Sequence, residues 1–247
     1  MQFTLPNSDT PRVLVSEAAQ KTVGGKTYYV FNCNVAAKEM TDTIEAQMFS
    51  GDKFGKVYEY TVKEYADYIL ENTQEPDYGK AVALVKAMLN YGAYSQEYFG
   101  HNIDKPANAS LNEADKELGE ITIKHNALVS SDLPEGVTFE GANLSLESKT
   151  RLSMYFRNTS ENDVTFKLGD DTVEPVDNNG YLQINITGIK ADQLSQDFTI
   201  TVGDSGSVTY SPLNYCKIVL DGNYSDSLKN VVKALYRYSQ AADNYTA

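Results

Sequence analysis

The first residue whose setting suits catalysis is a serine in a glycine-flanked segment. It is Ser205, within the segment 203–206, which reads Gly-Asp-Ser-Gly. A nucleophilic serine needs a histidine base and an aspartate that orients that histidine. The two histidines, His101 and His125, both fall in a polar stretch outside the strand and helix patterns. Strand-like patterns flank the serine segment, so the sequence predicts a hairpin turn there and no nucleophile.

Metal and redox chemistry have equally little support. His101 and His125 lie far apart with no cysteine or histidine at ligand spacing, so we expect exposed linker histidines and no zinc site. The acidic segment 177–180 lacks the downstream glutamate of a calcium loop and is typical of a turn. Cys33 and Cys216 fall in a strand pattern and a helix pattern, which favours two buried free thiols. No phosphate-binding glycine pattern occurs, so we expect no cofactor.

The charge of the chain excludes some partners. The 247 residues carry a formal charge of −13, from 34 acidic and 21 basic residues. Such a chain repels phosphate backbones, and no basic stripe overrides this field, so we expect no nucleic-acid partner. No apolar run is long enough to span a membrane, and residues 1–11 lack the features of a signal peptide. Neutral ligands such as glycans remain open.

Apolar residues recur at helical spacing in two stretches of the first half. The segment 61–70 has Thr61 at the N-cap and Glu64 at the capping-box position. The segment 79–99 follows after a break that contains Pro76. The pattern predicts an antiparallel helical hairpin.

The second half repeats this pattern. Ser211 at the N-cap and Pro212 at the first helical position begin the segment 211–220, and a short turn leads into 226–245. Several residues correspond between the two halves: Tyr60 and Tyr210, Tyr65 and Tyr215, Lys86 and Lys233, Tyr91 and Tyr238, Tyr98 and Tyr245.

Strand patterns precede each hairpin. The segments 29–35 and 44–49 alternate like strands in the first half, and 182–187 and 198–202 do so in the second. Glycine-rich turns lie between the predicted strands, at 24–25, 51–52, 178–180 and 203–206. Agreement over four elements in the same order indicates an internal duplication.

We therefore predict an α+β fold with two duplicated lobes. Each lobe is a small antiparallel β-sandwich or sheet followed by an antiparallel helical hairpin. The predicted organisation is an N-terminal tail (1–11), lobe 1 (12–100), a linker (101–126) that includes a short helix near 112–118, and lobe 2 (127–247).

Tyrosine supplies most of the aromatic surface, with 18 Tyr, 9 Phe and no Trp. Repeated aromatic residues at helical spacing, such as Tyr91, Tyr98, Tyr238 and Tyr245, are more often core than ligand contact. Better candidates lie in the turns between helices or at positions that differ between the halves. The predicted ligand-binding residues are Tyr78 and Tyr224, in those turns, and Tyr68, Tyr94 and Tyr236, at divergent positions.

The helical hairpins also carry a family resemblance. The segments 60–70 and 84–99, together with 228–245, resemble a module at the ends of large secreted and surface proteins of gut clostridia and ruminococci. Some members of this group look like the starch-adherence domains of the ruminococcal amylosome, which bind α-1,4-glucan without cleaving it. The resemblance covers residues 13–245 and is more specific for the module than for its ligand.

We accordingly expect a secreted or cell-surface, non-catalytic module that belongs to a larger multidomain protein or complex and binds α-glucan through tyrosines in a groove between the lobes. The first alternative is a structural or protein-docking module. The second is a glycan-active hydrolase, since paired carboxylates could cleave a glycoside, although no barrel or cleft scaffold is evident.

Overall fold

The protein has a mixed α+β fold with antiparallel sheets. The computed structural model describes residues 1–6, 11–74, 76–125, 129–146 and 149–246. The chain divides into two compact units, Met1–Leu111 (unit 1) and Asn112–Ala247 (unit 2). Within the described ranges, five α-helices and four sheets are formed.

Unit 1 begins with five strands in two sheets. The strands are β1 (Gln2–Thr4), β2 (Ala19–Val23), β3 (Lys26–Val30), β4 (Ile44–Ser50) and β5 (Lys53–Tyr60). One sheet has the order β1-β4-β5, and β2 pairs with β3 in a separate hairpin. Gly24 and Gly25 form its two-residue turn, and both have positive φ, which glycine adopts without strain. The region predicted as a tail therefore supplies a strand to the sheet.

Two helices complete unit 1: α1 (Val62–Glu71) and α2 (Pro76–Phe99). Thr61 and Glu64 form the predicted capping box, which is confirmed by both reciprocal hydrogen bonds. A 3₁₀ turn, Ala37–Glu39, packs against α2. A Cβ on Gly92 would lie 2.7 Å from the sulfur of Met40, so this close approach requires glycine.

The polar stretch after α2 packs onto unit 1. The Gln96 side chain is completely buried: its Nε2 donates to Thr41 Oγ1 at 2.9 Å, and its Oε1 accepts from the Ala107 amide at 2.8 Å. His101 Nε2 lies 2.8 Å from a carboxylate oxygen of Asp42, which is itself buried. The residues up to 111, predicted as part of a linker, are thus held on unit 1 by buried hydrogen bonds.

Unit 2 contains the remaining elements. They are α3 (Glu113–Lys116), β6 (Val129–Ser131), β7 (Val137–Leu146), β8 (Thr150–Asn158), β9 (Phe166–Leu168), β10 (Asp171–Thr172), β11 (Val176–Asn178), β12 (Tyr181–Thr187), β13 (Phe198–Val202), β14 (Gly206–Tyr210), α4 (Pro212–Asp221) and α5 (Asp226–Thr246). The two sheets have the orders β10-β9-β13-β14-β6 and β11-β12-β8-β7. Ser211 caps α4, and Pro212 is its first residue, as predicted.

An aromatic core lies between the two sheets of unit 2. The rings of Phe156 on β8 and Phe166 on β9 are 5.1 Å apart, and Phe139 on β7 lies 5.4 Å from Phe156 and 6.0 Å from Tyr210 on β14. Phe156 and Phe166 are almost completely buried. Burial of apolar area of this kind is the main stabilising contribution to a small domain.

The two units follow the same path from sheet to helices. In each, a hairpin closed by a two-residue turn precedes a 3₁₀ turn, which is followed by a second hairpin and a helix pair. Helices α1 and α4 both have 10 residues. The Lys63 amide donates to the Met40 carbonyl at 2.9 Å, and the Leu213 amide donates to the Leu194 carbonyl at 3.1 Å, so the same contact recurs after each 3₁₀ turn.

Two local predictions need correction. Helix α2 begins at Pro76, three residues before the predicted start, because proline suits the first helical turn. Tyr78 therefore lies in that turn of helix and not in the connection. Cys33 follows β3 outside any strand and is half-buried, whereas Cys216 is buried in α4; both are free.

Candidate binding site

Unit 2 presents one polar, tyrosine-bearing sheet face. Along β8, the side chains of Leu152, Met154 and Phe156 point into the core and are completely buried. Because side chains alternate along a strand, Tyr155 and Arg157 lie on the opposite face of the sheet. On the neighbouring strand β12, Leu182 pairs with Phe156 and therefore lies on the core side of the sheet. The adjacent residue Tyr181, which pairs with Asn178 on β11, lies on the same face as Tyr155.

Two tyrosines form the apolar part of this face, which we call the tyrosine face. The rings of Tyr155 and Tyr181 are 6.4 Å apart and nearly perpendicular, at 84°. The Arg157 guanidinium lies 4.6 Å from the Tyr181 ring centroid, close enough for a cation–π interaction that fixes the ring. An open cavity of about 470 Å³ is lined by Glu140, Gly141, Ala142, Tyr155, Asn178, Asn179 and Tyr181.

Amide side chains make two groups of hydrogen bonds on the same sheet as the two rings. Asn143 Nδ2 donates to the Tyr155 hydroxyl at 2.9 Å. Gln183 Nε2 donates to Asn185 Oδ1 at 2.7 Å, and Asn178 Nδ2 donates to Gln183 Oε1 at 2.8 Å. Ser153, buried beneath them, donates to Asn185 Oδ1 at 2.7 Å. These bonds hold the polar groups in one arrangement, which lowers the entropic cost of binding a ligand.

The electrostatics of the tyrosine face favour a neutral ligand. Glu140 is the one carboxylate among the residues that line the cavity, and its Oε1 lies 3.8 Å from Arg157 Nε. Their charges are opposite and partly exposed, so the face carries little net charge. In the described parts of the chain, no group of three or more His, Cys, Asp or Glu side chains could hold a metal ion.

Two of the predicted tyrosines lie together in unit 1. The rings of Tyr68 on α1 and Tyr78 on α2 are 6.0 Å apart, in an edge-to-face arrangement. Tyr68 is half exposed, and Tyr78 is partly buried. This pair is a second aromatic surface.

The other predicted tyrosines lie at separate places on the helices. Tyr224 is exposed in the turn between α4 and α5. Tyr236 on α5 is partly buried, and its hydroxyl accepts from Gln240 Nε2 at 3.3 Å. Tyr94 on α2 is also partly buried, and burial, followed by the charge of Glu97, raises its pKa.

The tyrosines predicted to be core have mixed positions. Tyr91 is buried, as predicted. Tyr98 and Tyr245 are exposed, so their assignment to the core is wrong; both lie near the C-terminal end of a helix.

Ser211, His125 and Asp197 resemble a catalytic triad in composition, but not in geometry. Ser211 Oγ and Asp197 Oδ1 lie 2.6 and 3.2 Å from the same atom, His125 Nε2, whereas a triad uses both ring nitrogens. The Ser211 hydroxyl donates to Asn214 Oδ1 at 2.8 Å as part of the α4 cap. His125 Nε2 is then the donor to Ser211 and cannot act as its base. The expectation of exposed linker histidines is wrong for both residues, because the side chains of His101 and His125 are 21% and 13% exposed. His101 bonds to Asp42 of unit 1, and His125 bonds to the Ser211 cap of α4.

Sequence reasoning did not find the tyrosine face. Its signal lies in the segment 151–157, where polar or aromatic residues alternate with Leu152, Met154 and Phe156. Such alternation predicts a strand with one apolar face toward the core and one polar or aromatic face away from it. The predicted ligand-binding tyrosines all lie in the helical hairpins, whereas Tyr155 and Tyr181 lie on strands.

The chain matches no protein-family model, and no curated protein or solved structure is significantly similar to it. In the described residues, no helix has the length and apolar content needed to cross a membrane.

Proposed function

We propose that this protein is a non-catalytic module that binds a neutral polysaccharide, with α-1,4-glucan as the leading ligand, at the tyrosine face of unit 2. The observation that carries the proposal is the perpendicular pair Tyr155 and Tyr181 beside fixed amide groups. Pyranose rings have apolar C–H faces that pack on aromatic rings and hydroxyls that pair with amides.

The angle between the two rings favours a curved glycan. Successive glucose units of an α-1,4-glucan turn relative to each other, whereas those of a flat β-1,4-glucan do not. Two coplanar rings would suit a flat chain, but Tyr155 and Tyr181 are at 84° to each other. The Asn143 amide donates to the Tyr155 hydroxyl, and Asn178 lines the same cavity as both rings, so both amides are near the expected position of sugar hydroxyls.

The proposal extends to the origin of the fold. We infer that the two units arose by internal duplication, as supported by the shared order of elements, the equal lengths of α1 and α4 and the matching hydrogen bonds of Lys63 and Leu213. The resemblance of the helical hairpins to starch-adherence modules of gut bacteria supports the ligand class and a secreted or cell-surface setting. Ligand binding in a groove between the lobes stays a prediction from the sequence and is not part of this proposal.

Hydrolysis is the less favoured reading of the same site. Glycosidases generally use two carboxyl groups that flank the scissile bond. The residues that line the cavity include Glu140 and no second carboxylate. A protein-docking role remains the alternative, and the exposed sheet of unit 1 is the observation that favours it.

Affinity electrophoresis in gels with soluble starch tests the proposal, with calorimetry on maltoheptaose as the quantitative measurement. We expect retardation of the protein without sugar release. Tyr155→Ala and Tyr181→Ala should each weaken binding at least tenfold, which corresponds to about 1.4 kcal/mol. Tyr245→Ala, an exposed tyrosine on α5 of the same unit, is the matched control and should bind normally.

Each outcome has a distinct meaning. Equal binding by the Tyr155→Ala, Tyr181→Ala and wild-type proteins would reject the tyrosine face as the site. Release of reducing sugar would identify a hydrolase. A wild-type protein that ignores starch, glycogen and β-glucans alike would reject the polysaccharide proposal.

A further inference from the structure

Within the described residues, the sheets of unit 1 have fewer strands than those of unit 2 at the corresponding positions. In unit 2, β14 pairs with β13 on one side and β6 on the other. Its counterpart β5 also runs directly into a capped helix, but among the described residues it pairs with β4 alone. One edge of β5 therefore has backbone groups without a strand partner.

The hairpin formed by β2 and β3 of unit 1 also has fewer strand partners than its counterpart. In unit 2, β12 pairs with β11 and with β8, and β8 pairs in turn with β7. The counterpart of β12 is β3, which pairs with β2 alone in the described chain. A two-stranded hairpin without a third strand is at most marginally stable in water.

Side-chain burial differs accordingly between equivalent positions. Tyr60 and Tyr210 each end a strand immediately before the helix cap, and Tyr58 and Val208 lie two residues earlier. Val208 and Tyr210 are 0% and 3% exposed, whereas Tyr58 and Tyr60 are 58% and 39% exposed. Tyr210 is covered by Phe139 of β7, at 6.0 Å between ring centroids. Nothing in the described part of unit 1 corresponds to β7.

Large apolar side chains of unit 1 are consequently exposed as a group. On β2, β3, β4 and β5 they are Val23, Tyr28, Tyr29, Val30, Met48, Phe54, Val57, Tyr58 and Tyr60. In unit 2, by contrast, the exposed large apolar side chains on strands are Val129 and Val176. Open edges lined with apolar residues are sites for pairing with another strand.

We propose that unit 1 accepts a donated β-sheet segment of the kind that β6, β7 and β8 supply in unit 2: one strand along β5, and an apolar-faced hairpin along β3 that covers Tyr58 and Tyr60. In unit 2 the three strands precede β9 in the chain, and β9 corresponds to β1, because each pairs with the equivalent strand β13 or β4. A donor with the same topology therefore enters on the N-terminal side of β1. This donor site rests on the internal duplication proposed above, but it uses none of the residues of the tyrosine face, so the failure of one proposal leaves the other standing.

Unit 2 provides the register expected for the donor. Ser131 of β6 pairs with Ser207 of β14, and their hydroxyls are 3.1 Å apart. Val57 is the counterpart of Ser207, because both lie three residues before the tyrosine that ends the strand. A donor copy of Ser131 should therefore lie beside Val57.

The test is a fusion of residues 129–163 directly ahead of Met1 of the full chain. The donor copy of Ser131 is replaced by Cys, and Val57→Cys is introduced in a Cys33→Ser background. We expect a disulfide between the two introduced cysteines, detected by peptide mass spectrometry after mild oxidation. Tyr58→Cys, on the opposite face of β5 from Val57, is the matched control and should cross-link at least tenfold less.

Amide hydrogen exchange gives a second measurement on the fusion without added cysteines. Exchange of the peptides that cover β3 and β5 should slow at least tenfold relative to the unfused chain, while exchange in unit 2 stays unchanged. A second fusion with Ser at donor positions 139, 152, 154 and 156, which removes the apolar face, should give no protection.

Three results would overturn the proposal. One is a folded fusion with no cross-link at Val57, or with equal cross-links at Val57 and Tyr58. Another is unchanged exchange in β3 and β5. The third is an unfused chain whose β3 is already protected in a concentration-dependent dimer, which would identify a second copy of this chain as the occupant.

Discussion

The buried Gln96 side chain gives the most direct test of how the polar stretch after α2 is held. The change Gln96→Leu keeps the side chain's approximate volume but removes all its hydrogen-bonding groups. Wild-type Gln96 accepts from the Ala107 amide at 2.8 Å and donates to Thr41 Oγ1 at 2.9 Å and to the Lys105 carbonyl at 3.4 Å.

The expected cost follows from the groups left unpaired. Ala107 is completely buried, so its amide would lose its partner without gaining water. A buried unsatisfied group costs about 1–3 kcal/mol. The Lys105 bond is long and contributes less, and the Thr41 hydroxyl oxygen still accepts from Asn102 Nδ2 at 3.5 Å. We therefore expect Gln96→Leu to lower the free energy of unfolding by about 1–3 kcal/mol.

Urea unfolding monitored by hydrogen exchange measures this cost for each unit separately, which avoids assuming a single transition for the whole chain. Residues 101–111 should lose protection together with α2. Gln240→Leu on α5, an exposed glutamine whose side chain bonds to its own helix, is the matched control and should change stability by less than about 0.5 kcal/mol. Equal, small effects of the two changes would refute the assignment of 101–111 to the core of unit 1.

Three further predictions concern single side chains. At pH 8 a thiol reagent should label half-buried Cys33, but more slowly than free cysteine, because burial raises the pKa of Cys33. It should not label Cys216, because burial raises the pKa of that thiol to about 12. Simultaneous reaction of both thiols in the native protein would contradict this prediction. Burial also raises the pKa of Tyr210 to about 12, so its stabilising contribution is complete below pH 10 and is lost as the pH rises from 10 to 12. Tyr210→Phe should therefore reduce the fall of the urea midpoint over this pH range. An unchanged fall in the Tyr210→Phe variant would disprove the assignment to Tyr210. Tyr78→Ala and Tyr224→Ala should leave the melting temperature within a few degrees of the wild-type value. Weaker starch retardation of these variants would show that the helical hairpins also contact the ligand. Retardation equal to wild type would confine binding to the tyrosine face.

Local chemistry explains which parts of the fold the sequence could predict. The caps at Thr61 and Ser211 and the turn at 24–25 depend on residues within four positions of each other, and the structure confirms all three. The pairing of Gln2–Thr4 with β4 could not be predicted, because it joins residues more than 40 positions apart. The role of residues 101–111 was also hidden, since their polar composition is typical of a linker, and the groups that bind them, such as the buried Gln96 side chain and Asp42, lie on other elements of unit 1.

The site required more than sequence patterns could supply. Tyr155 and Tyr181 are separated by three other strands in the chain order and come together because β8 pairs with β12. Sequence alternation can show that Tyr155 faces away from the core, but not which strand lies beside it. The predicted Tyr68 and Tyr78 were found together for a simpler reason, which is that a short connection places α1 against α2.

The asymmetry between the units makes one final prediction, the number of ligand sites. The tyrosine face is built on the four-stranded sheet β11-β12-β8-β7, whereas the described part of unit 1 forms a three-stranded sheet and a separate hairpin. Calorimetric titration with maltoheptaose should therefore give one site per chain, abolished together by Tyr155→Ala and Tyr181→Ala in the same molecule. The described chain forms one four-stranded sheet. The expected number of sites therefore does not depend on how tightly the glycan binds. Two equal sites would mean that glycan recognition belongs to the helical hairpins, which both units possess, and that the tyrosine face is not the site.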